Sequence, residues 1–308
     1  MISVIICTYN REKYIFRCIE SLTKNEFPRS EYEIVIVDNN CTDGTVAELE
    51  RFKATYPDIC IRYFLETTQG LSHSRNRGIR EAKGDILIYV DDDAFVETEY
   101  LAKYADLFNR RPDVDAAGGP IVPYYESGKE PEWMTSHLRR LLTAYLYFGD
   151  SERDFPGRAF PGGGNAAYRK SVFDKVGLFN PELGRNGENL GGGEEKDIFD
   201  RMKTAGMKVV YVPDCVLHHI IPQYRLEEDY FVRITEGIGT SERLRTLRIS
   251  KTKYLDRVLS EVIKWGGTLV LSMVYMLLFK PQSSSKLLRF RWNVTKKLVL
   301  SSNTKNQF

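Results

Sequence analysis

The sequence predicts an α/β fold with a mostly parallel central sheet, flanking helices and a separate helical segment at the C-terminus. Three observations carry that expectation. Strand-like apolar runs recur every 25 to 30 residues in the first hundred, helical periodicity or crossovers fill the intervals, and residues 251 to 308 change composition. In order, Ser3-Val4-Ile5-Ile6 is β-rich, and Ile15, Cys18, Ile19 and Leu22 then repeat at helical spacing behind the cap candidate Asn10. Glu33 to Val37 reads as a buried strand, and Asp43-Gly44-Thr45 opens a helix carrying Val46, Leu49 and Phe52. A third strand is expected over Ile59 to Leu65, a polar helix over Leu71 to Ala82 and a fourth strand over Asp85 to Val90. Beyond residue 110 the stretches Gly118-Gly119-Pro120, Pro161-Gly162-Gly163-Gly164 and Gly191-Gly192-Gly193 suggest long functional loops. Helices are expected at Lys170 to Val176 and about Glu195 to Ala205, with a strand at Lys208 to Val212.

A chain of 308 residues, 42% apolar and 28% charged, is globular and far too long for a peptide hormone or a disulfide-stapled miniature. Its five cysteines form no CxxC pair and no cluster with histidine, which fits a reduced intracellular protein. Met1 to Asn10 lacks a basic leader and a cleavage pattern, so it reads as a first strand rather than a signal peptide. The net charge of +2 conceals an asymmetry: residues 251–308 hold eleven Lys/Arg against Asp256 and Glu261, whereas 1–250 hold 33 basic and 40 acidic residues. The expected organisation is a catalytic domain over 1–250 and a membrane-associating region over 251–308. Trp265 to Phe279 carries no charge but is shorter than the ~20 residues of a spanning helix. Residues 280–308 carry seven Lys/Arg and no acid, with Leu287, Leu288, Phe290 and Trp292 interleaved. A monotopic anchor and a basic, aromatic segment lying on an anionic leaflet explain both features, at the cytoplasmic face of the cell membrane. The apolar run favours a membrane over nucleic acid as the partner of the tail.

In open parallel sheets ligands bind beyond the carboxyl ends of strands. Here those ends are Cys7-Thr8-Tyr9-Asn10, Asp38-Asn39-Asn40 and Asp91-Asp92-Asp93. Three consecutive aspartates suit a hard cation, Mg²⁺ or Mn²⁺, bridging the phosphates of a nucleotide; the bland alternative is a solvated turn. Asp38 is either a helix cap or a partner for a nucleobase beside Tyr9. Arg75 either supplies a fixed charge to the phosphates or is one exposed Arg of a basic helix. Glu194 and Glu195 open a helix, where acids complement the dipole, yet a carboxylate on a Gly-rich loop also suits a general base. His218 and His219 offer an imidazole to the metal or are structural.

Together Ser3 to Arg11, Val37 to Thr45, Arg75-Asn76-Arg77-Gly78, Tyr89 to Asp93, Gly163 to Lys170, Gly193 to Asp197 and Tyr211 to His219 resemble, in order, the blocks of family 2 glycosyltransferases. The resemblance covers residues 2 to about 225 and implies the GT-A fold and an inverting, nucleotide-sugar-dependent enzyme. It implies that Asp38 binds the base, most often uracil, with Thr8 and Tyr9 beside it. Asp91 and Asp93 match the outer members of the Asp-x-Asp motif, with Asp93 the metal ligand and Asp91 and Asp92 near ribose and diphosphate. Glu195 stands where the family usually has the Asp of a Glu-Asp pair, the catalytic base, so either it or Glu194 serves. His219, or else His218, completes the metal site. The chain also departs from the family at Asn40-Cys41, where Gly-Ser is common. Trp133 and Asn165 are expected on the acceptor side.

The function implied is sugar transfer from a nucleotide-diphosphate sugar, with UDP the first expectation, to a saccharide or lipid-linked saccharide in cell-surface polysaccharide synthesis. The competing class is a catalytically degenerate, glycosyltransferase-like membrane scaffold or partner subunit. Nucleotidyl transfer would want a Gly-rich turn after the first strand, which Cys7-Thr8-Tyr9-Asn10 does not supply.

Overall fold

The computed structural model describes residues 1–157, 159–186 and 192–300; Gly191 of the third glycine-rich stretch lies outside the described residues. Two compact units form. The first comprises residues 1–124, 143–182 and 194–220, and the second 125–142, 183–193 and 221–308. The division differs from one at residue 250, because 221–250 folds with the tail and two loop segments join it.

In the first unit, β1 (Ile2–Thr8) pairs in parallel with β2 (Tyr32–Asp38) and β4 (Ile86–Val90), and β3 (Ile61–Leu65) lies parallel outside β2. Both faces of β1 and β2 are covered, which is why they read as continuous apolar runs. Val4 and Ile6 share one core with Ile15, Ile19 and Leu22 of α1 (Ile15–Thr23) and with residues of α2 (Thr45–Thr55) and α4 (Tyr100–Arg110). Ile5, Val35 and Val37 face the opposite core, with residues of α3 (Leu71–Glu81), α6 (Val172–Val176) and α7 (Glu194–Thr204).

The parallel order ends at β4. There β9 (Asn165–Arg169) enters antiparallel, followed by β6 (Ala116–Gly118), β10 (Val209–Tyr211) and β8 (Arg153–Asp154) to give the order β3-β2-β1-β4-β9-β6-β10-β8. Only β6 and β10 are parallel in that second half. A smaller sheet, β5-β11-β7, is built from β5 (Ala94–Val96), β11 (Leu217–Ile221) and β7 (Ile121–Tyr125). Its β5–β11 pairing sets His219 opposite Ala94, next to the three aspartates.

The second unit holds α5 (Ser136–Thr143), α8 (Glu228–Ile249), α9 (Lys251–Leu277) and α10 (Pro281–Val299). Tyr230, Phe231 and Ile234 of α8 bury Phe290 and Val294 of α10 together with Met134 and Leu138. The approach is close: a methyl group at Gly239 would overlap the Val294 carbonyl. The tail's expected basic, lipid-facing surface is largely consumed inside this unit. Lys286 and Arg289 pair with Glu228, Lys296 and Lys297 with Glu236, and Arg291 with Glu261. Leu287 and Phe290 are buried, and Trp292 remains exposed.

Candidate active site

Parallel pairing carries the ends of β1, β2 and β4 to one edge. Thr8 is the register partner of Asp38, and the turn after β4 places Asp92 where its carboxylate accepts the Tyr9 N–H at 3.3 Å. Asp38 is buried and accepts the Cys41 N–H at 2.8 Å and the Tyr63 hydroxyl at 2.6 Å. Asn10 and Asn40 both adopt left-handed backbone, φ 54° and 66°, which Asn tolerates better than other side chains. At position 40 Asn therefore supplies a left-handed turn, and Asp38 is held by the Cys41 N–H that follows it.

Asp92 and Asp93 are buried and Asp91 is partly exposed. Burial raises the Asp92 carboxyl to about 6, Arg11 opposes the rise, and Asp93 and Asp91 add to it. Arg11, which the sequence did not single out, reaches Asp92 at 3.2 Å and Asp93 at 3.6 Å. Its sequence signals are its place just beyond the first strand and at the end of the Ser3 to Arg11 block, neither of which announces a carboxylate partner.

His219 stands with Nε2 3.3 Å from Asp93 Oδ1 and Nδ1 2.9 Å from the Thr143 carbonyl. A carbonyl only accepts, so Nδ1 carries the proton. Nε2 is thereby turned toward the carboxylate, where a cation could bridge the two. A metal-binding imidazole is commonly oriented in this way, by giving its other N–H to a backbone carbonyl. Among the described residues no three His, Cys, Asp or Glu side chains form a closed cage. The pair, with Asp91 beside it in the chain, fits Mn²⁺ or Mg²⁺ that draws further ligands from water and phosphate. His218 is directed elsewhere: it stacks on Phe95 and meets Glu97 at 2.6 Å, so the structure does not bring it to the aspartates.

Arg75 is not an exposed helix charge. It is buried under the rings of Tyr89 and Phe179 and forks between Glu194, at 2.8 Å, and Glu195, at 3.1 Å. Burial would lower its pKa, but Glu195, Glu194 and Asp91 outweigh that and push it up. The arginine therefore stays charged and holds the two glutamates together. The Glu194 side chain is only 3% exposed, whereas that of Glu195 is 26% exposed. Of the two, Glu195 is open to a substrate. Gly163 and Gly164 thread between the groups: a methyl at Gly163 would overlap the Glu195 carboxylate and Arg75, and one at Gly164 would overlap Asp91. The glycine-rich stretch thus lets bare backbone pass between the aspartates and the glutamates.

One acceptor-side expectation changes. Asn165 is wholly buried, accepts the Tyr100 and Tyr104 hydroxyls at 2.8 Å each, and donates to the Pro120 and Cys215 carbonyls at 2.9 Å each. With its amide committed on both sides, it is a structural clasp rather than an acceptor contact. Trp133 belongs to the second unit, where Lys286 lies over its ring at 5.0 Å and Ser283 donates to its carbonyl.

Charge arranged in this way suits an enzyme that transfers a group away from a diphosphate. Residues 3–177 match the family model Glycosyl transferase family 2, and the chain belongs to that family of enzymes. Over 255 residues it is 28% identical to the glucosyl-dolichyl phosphate glucuronosyltransferase of Haloferax volcanii, across 80% of this chain and 77% of that protein. It is 32% identical over 223 residues to the poly(ribitol-phosphate) beta-glucosyltransferase of Bacillus spizizenii, covering 69% of this chain and spanning 34% of that longer protein. The mannosyltransferase PcManGT of Pyrobaculum calidifontis, solved with GDP-Man and Mn²⁺, superposes with a TM-score of 0.64 at 18% identity, over 98% of this chain and 88% of that one. That likeness establishes the GT-A fold.

Proposed function

We propose that the chain transfers a sugar with inversion from a nucleotide-diphosphate sugar, a UDP-sugar in first expectation, to a hydroxyl of a saccharide or lipid-linked saccharide. The observation that carries this reading is the shared fork of Arg75, which buries Glu194, leaves Glu195 accessible and sets it across the Gly163-Gly164 backbone from Asp91. Asp38 keeps lone pairs beyond its two present hydrogen bonds and would accept the imide N–H of uracil. The half-open ring of Tyr9 would pack on the base. Glu195 would take the acceptor's proton as that oxygen bonds to the anomeric carbon and the bond from the sugar to the diphosphate breaks. Asp93 and His219 would hold a divalent cation, which when bound neutralises charge on the departing diphosphate. Arg75 acts here by orienting Glu195, not by reaching the phosphates.

The acceptor class draws support from relatives whose names include dolichyl phosphate, a lipid carrier, and from the apolar C-terminal helix. Both favour work at a membrane surface, its cytoplasmic face in this reading, in cell-surface polysaccharide synthesis. The test is a donor screen: purified chain with Mn²⁺ and a panel of UDP-, GDP- and dTDP-sugars, measuring nucleoside diphosphate release with and without a membrane-lipid extract. Release from one donor, stimulated by lipid, supports the reading. Absence of binding and turnover with every donor would favour a degenerate scaffold.

A further inference from the structure

The second unit contains a helix whose polarity is inverted relative to a water-soluble bundle. Among the described residues of α9 the buried ones are Glu261, Thr268 and Ser272, which with Trp265 fall at i, i+4, i+7 and i+11 along one face. A soluble helix hairpin fills such a seam with apolar side chains. Here it is polar throughout. Glu261 accepts from Arg291 at 3.2 Å and Thr295 at 3.1 Å, Thr268 accepts from Arg291 at 3.1 Å, Trp265 donates to Thr295 at 3.1 Å, and Ser272 meets Ser284 at 2.6 Å. Every one of these partners lies on α10.

The outer surface is the reverse. Leu269, Val270 and Leu271 are consecutive and exposed, as are Met273 and Val274, and the stretch ends at Phe279, 93% exposed. Three consecutive residues sweep about 200° of a helix, twice the ~100° stripe that docking to one partner helix requires. Hydrocarbon covers a helix from many directions at once; a second copy of the chain does not. Exposed cations bracket the helix, Lys251 and Lys253 at its start and Lys280 just past its end, where their ammonium groups stay in the hydrated headgroup zone while the apolar turns between them reach the acyl chains. α10 stays hydrogen-bonded along α9 and keeps Arg289 and Lys296 about half exposed, which holds the pair at the interface and argues against a span.

We infer that α9 is immersed sideways in the acyl region of one leaflet, with its polar seam turned away toward α10, and that the attachment is hydrophobic rather than electrostatic. The inference rests on the membrane reading above and specifies its lipid partner: the hydrocarbon of any fluid bilayer, with no need for anionic headgroups. The cations of α10 already neutralised by Glu228, Glu236 and Glu261 leave little charge for a salt-sensitive contact.

The experiment is flotation of the full chain with vesicles of phosphatidylcholine alone and of phosphatidylcholine mixed with phosphatidylserine, at low and high salt. Co-flotation with neutral vesicles that survives high salt is expected. Flotation only with the anionic vesicles, lost in salt, would overturn immersion while leaving membrane attachment intact. No flotation with either, with a discrete dimer in solution, would overturn both and make a second copy the occupant. Val270→Glu combined with Met273→Glu lies on the exposed face and should leave the circular dichroism spectrum and melting temperature near native. It should weaken vesicle binding by at least about tenfold, and unchanged flotation of this variant would remove α9 as the contact.

Discussion

Arg75 in the first unit and Arg291 in the second are both buried and both pair with glutamate, yet the networks around them close differently. Glu261 accepts from Arg257, Arg291, Lys264 and Thr295, which saturates its carboxylate, and that carboxylate is itself buried, its side chain 3% exposed. Around Arg75 one carboxylate, Glu194, is sealed in and the other, Glu195, keeps a solvent-facing side. Burying charge is costly in both places. In the second unit the return is a fixed helix register; in the first it is a held, accessible carboxylate. What separates the two networks is whether a carboxylate is left open, not the burial of the arginine.

The largest test of that difference is Glu195→Gln. The amide keeps the size and the contact with Arg75 but takes no proton, so kcat should fall by ~10² to 10⁴ with donor affinity retained. Steady-state transfer and nucleotide binding, measured separately, check both halves, and full activity would return the base assignment to Glu194. Arg75→Lys belongs with it: a point-like ammonium lacks the rigid planar fork of the guanidinium and holds the two carboxylates less firmly, so kcat should drop with little change in donor KM. A rise in donor KM at constant kcat would instead put Arg75 on the phosphates.

In the sealed network the same kind of change should act on stability. Glu261→Gln leaves Arg257 and Arg291 without their shared anion, and loss of a buried partner typically costs ~3–5 kcal/mol. Chemical denaturation should show that loss, while transfer to a water-soluble acceptor at saturating donor stays near native in the folded fraction. Asn165→Ala is a milder structural case inside the first unit. It strands two tyrosine hydroxyls and two carbonyls, at a cost of ~1–3 kcal/mol, and acceptor KM should not move.

How far the sequence anticipates these networks follows from distance along the chain. The first four strands are local patterns, so apolar runs place them within one or two residues: Ile59 to Leu65 is expected and Ile61–Leu65 forms, whereas the cap expected at Asn10 falls at Tyr14 because Asn10 is used in a left-handed turn. The strand-end acids are legible for the same reason, since parallel order alone brings Asp38 and Asp91 to Asp93 to one edge. Arg75 is not, because its partner Glu194 is 119 residues away and nothing near Arg75 announces a carboxylate pair. Asn165 misleads because its glycine-rich flank looks like a binding loop, while the tyrosines that claim it lie more than 60 residues earlier. In the tail the apolar run Trp265 to Phe279 is plain, but the polar seam needs α10 in place, and the basic residues look free until the acids of α8 are set beside them.

That last point gives the smallest and most discriminating change, Lys296→Ala with Lys297→Ala. Both side chains pair with Glu236, at 3.5 and 3.1 Å, and Lys296 is about half exposed, so each bond lies in the range where surface ion pairs contribute up to ~1 kcal/mol. Stability should barely shift. If these lysines were a leaflet-binding patch, removing two charges would lower affinity for phosphatidylserine vesicles markedly, at roughly 1 kcal/mol for each cation near the surface. If the contact is the outer face of α9, flotation with neutral vesicles should be unchanged and flotation with anionic vesicles should fall little. A marked loss on anionic vesicles alone would return the attachment to α10 and leave the inverted face of α9 in need of a different cover.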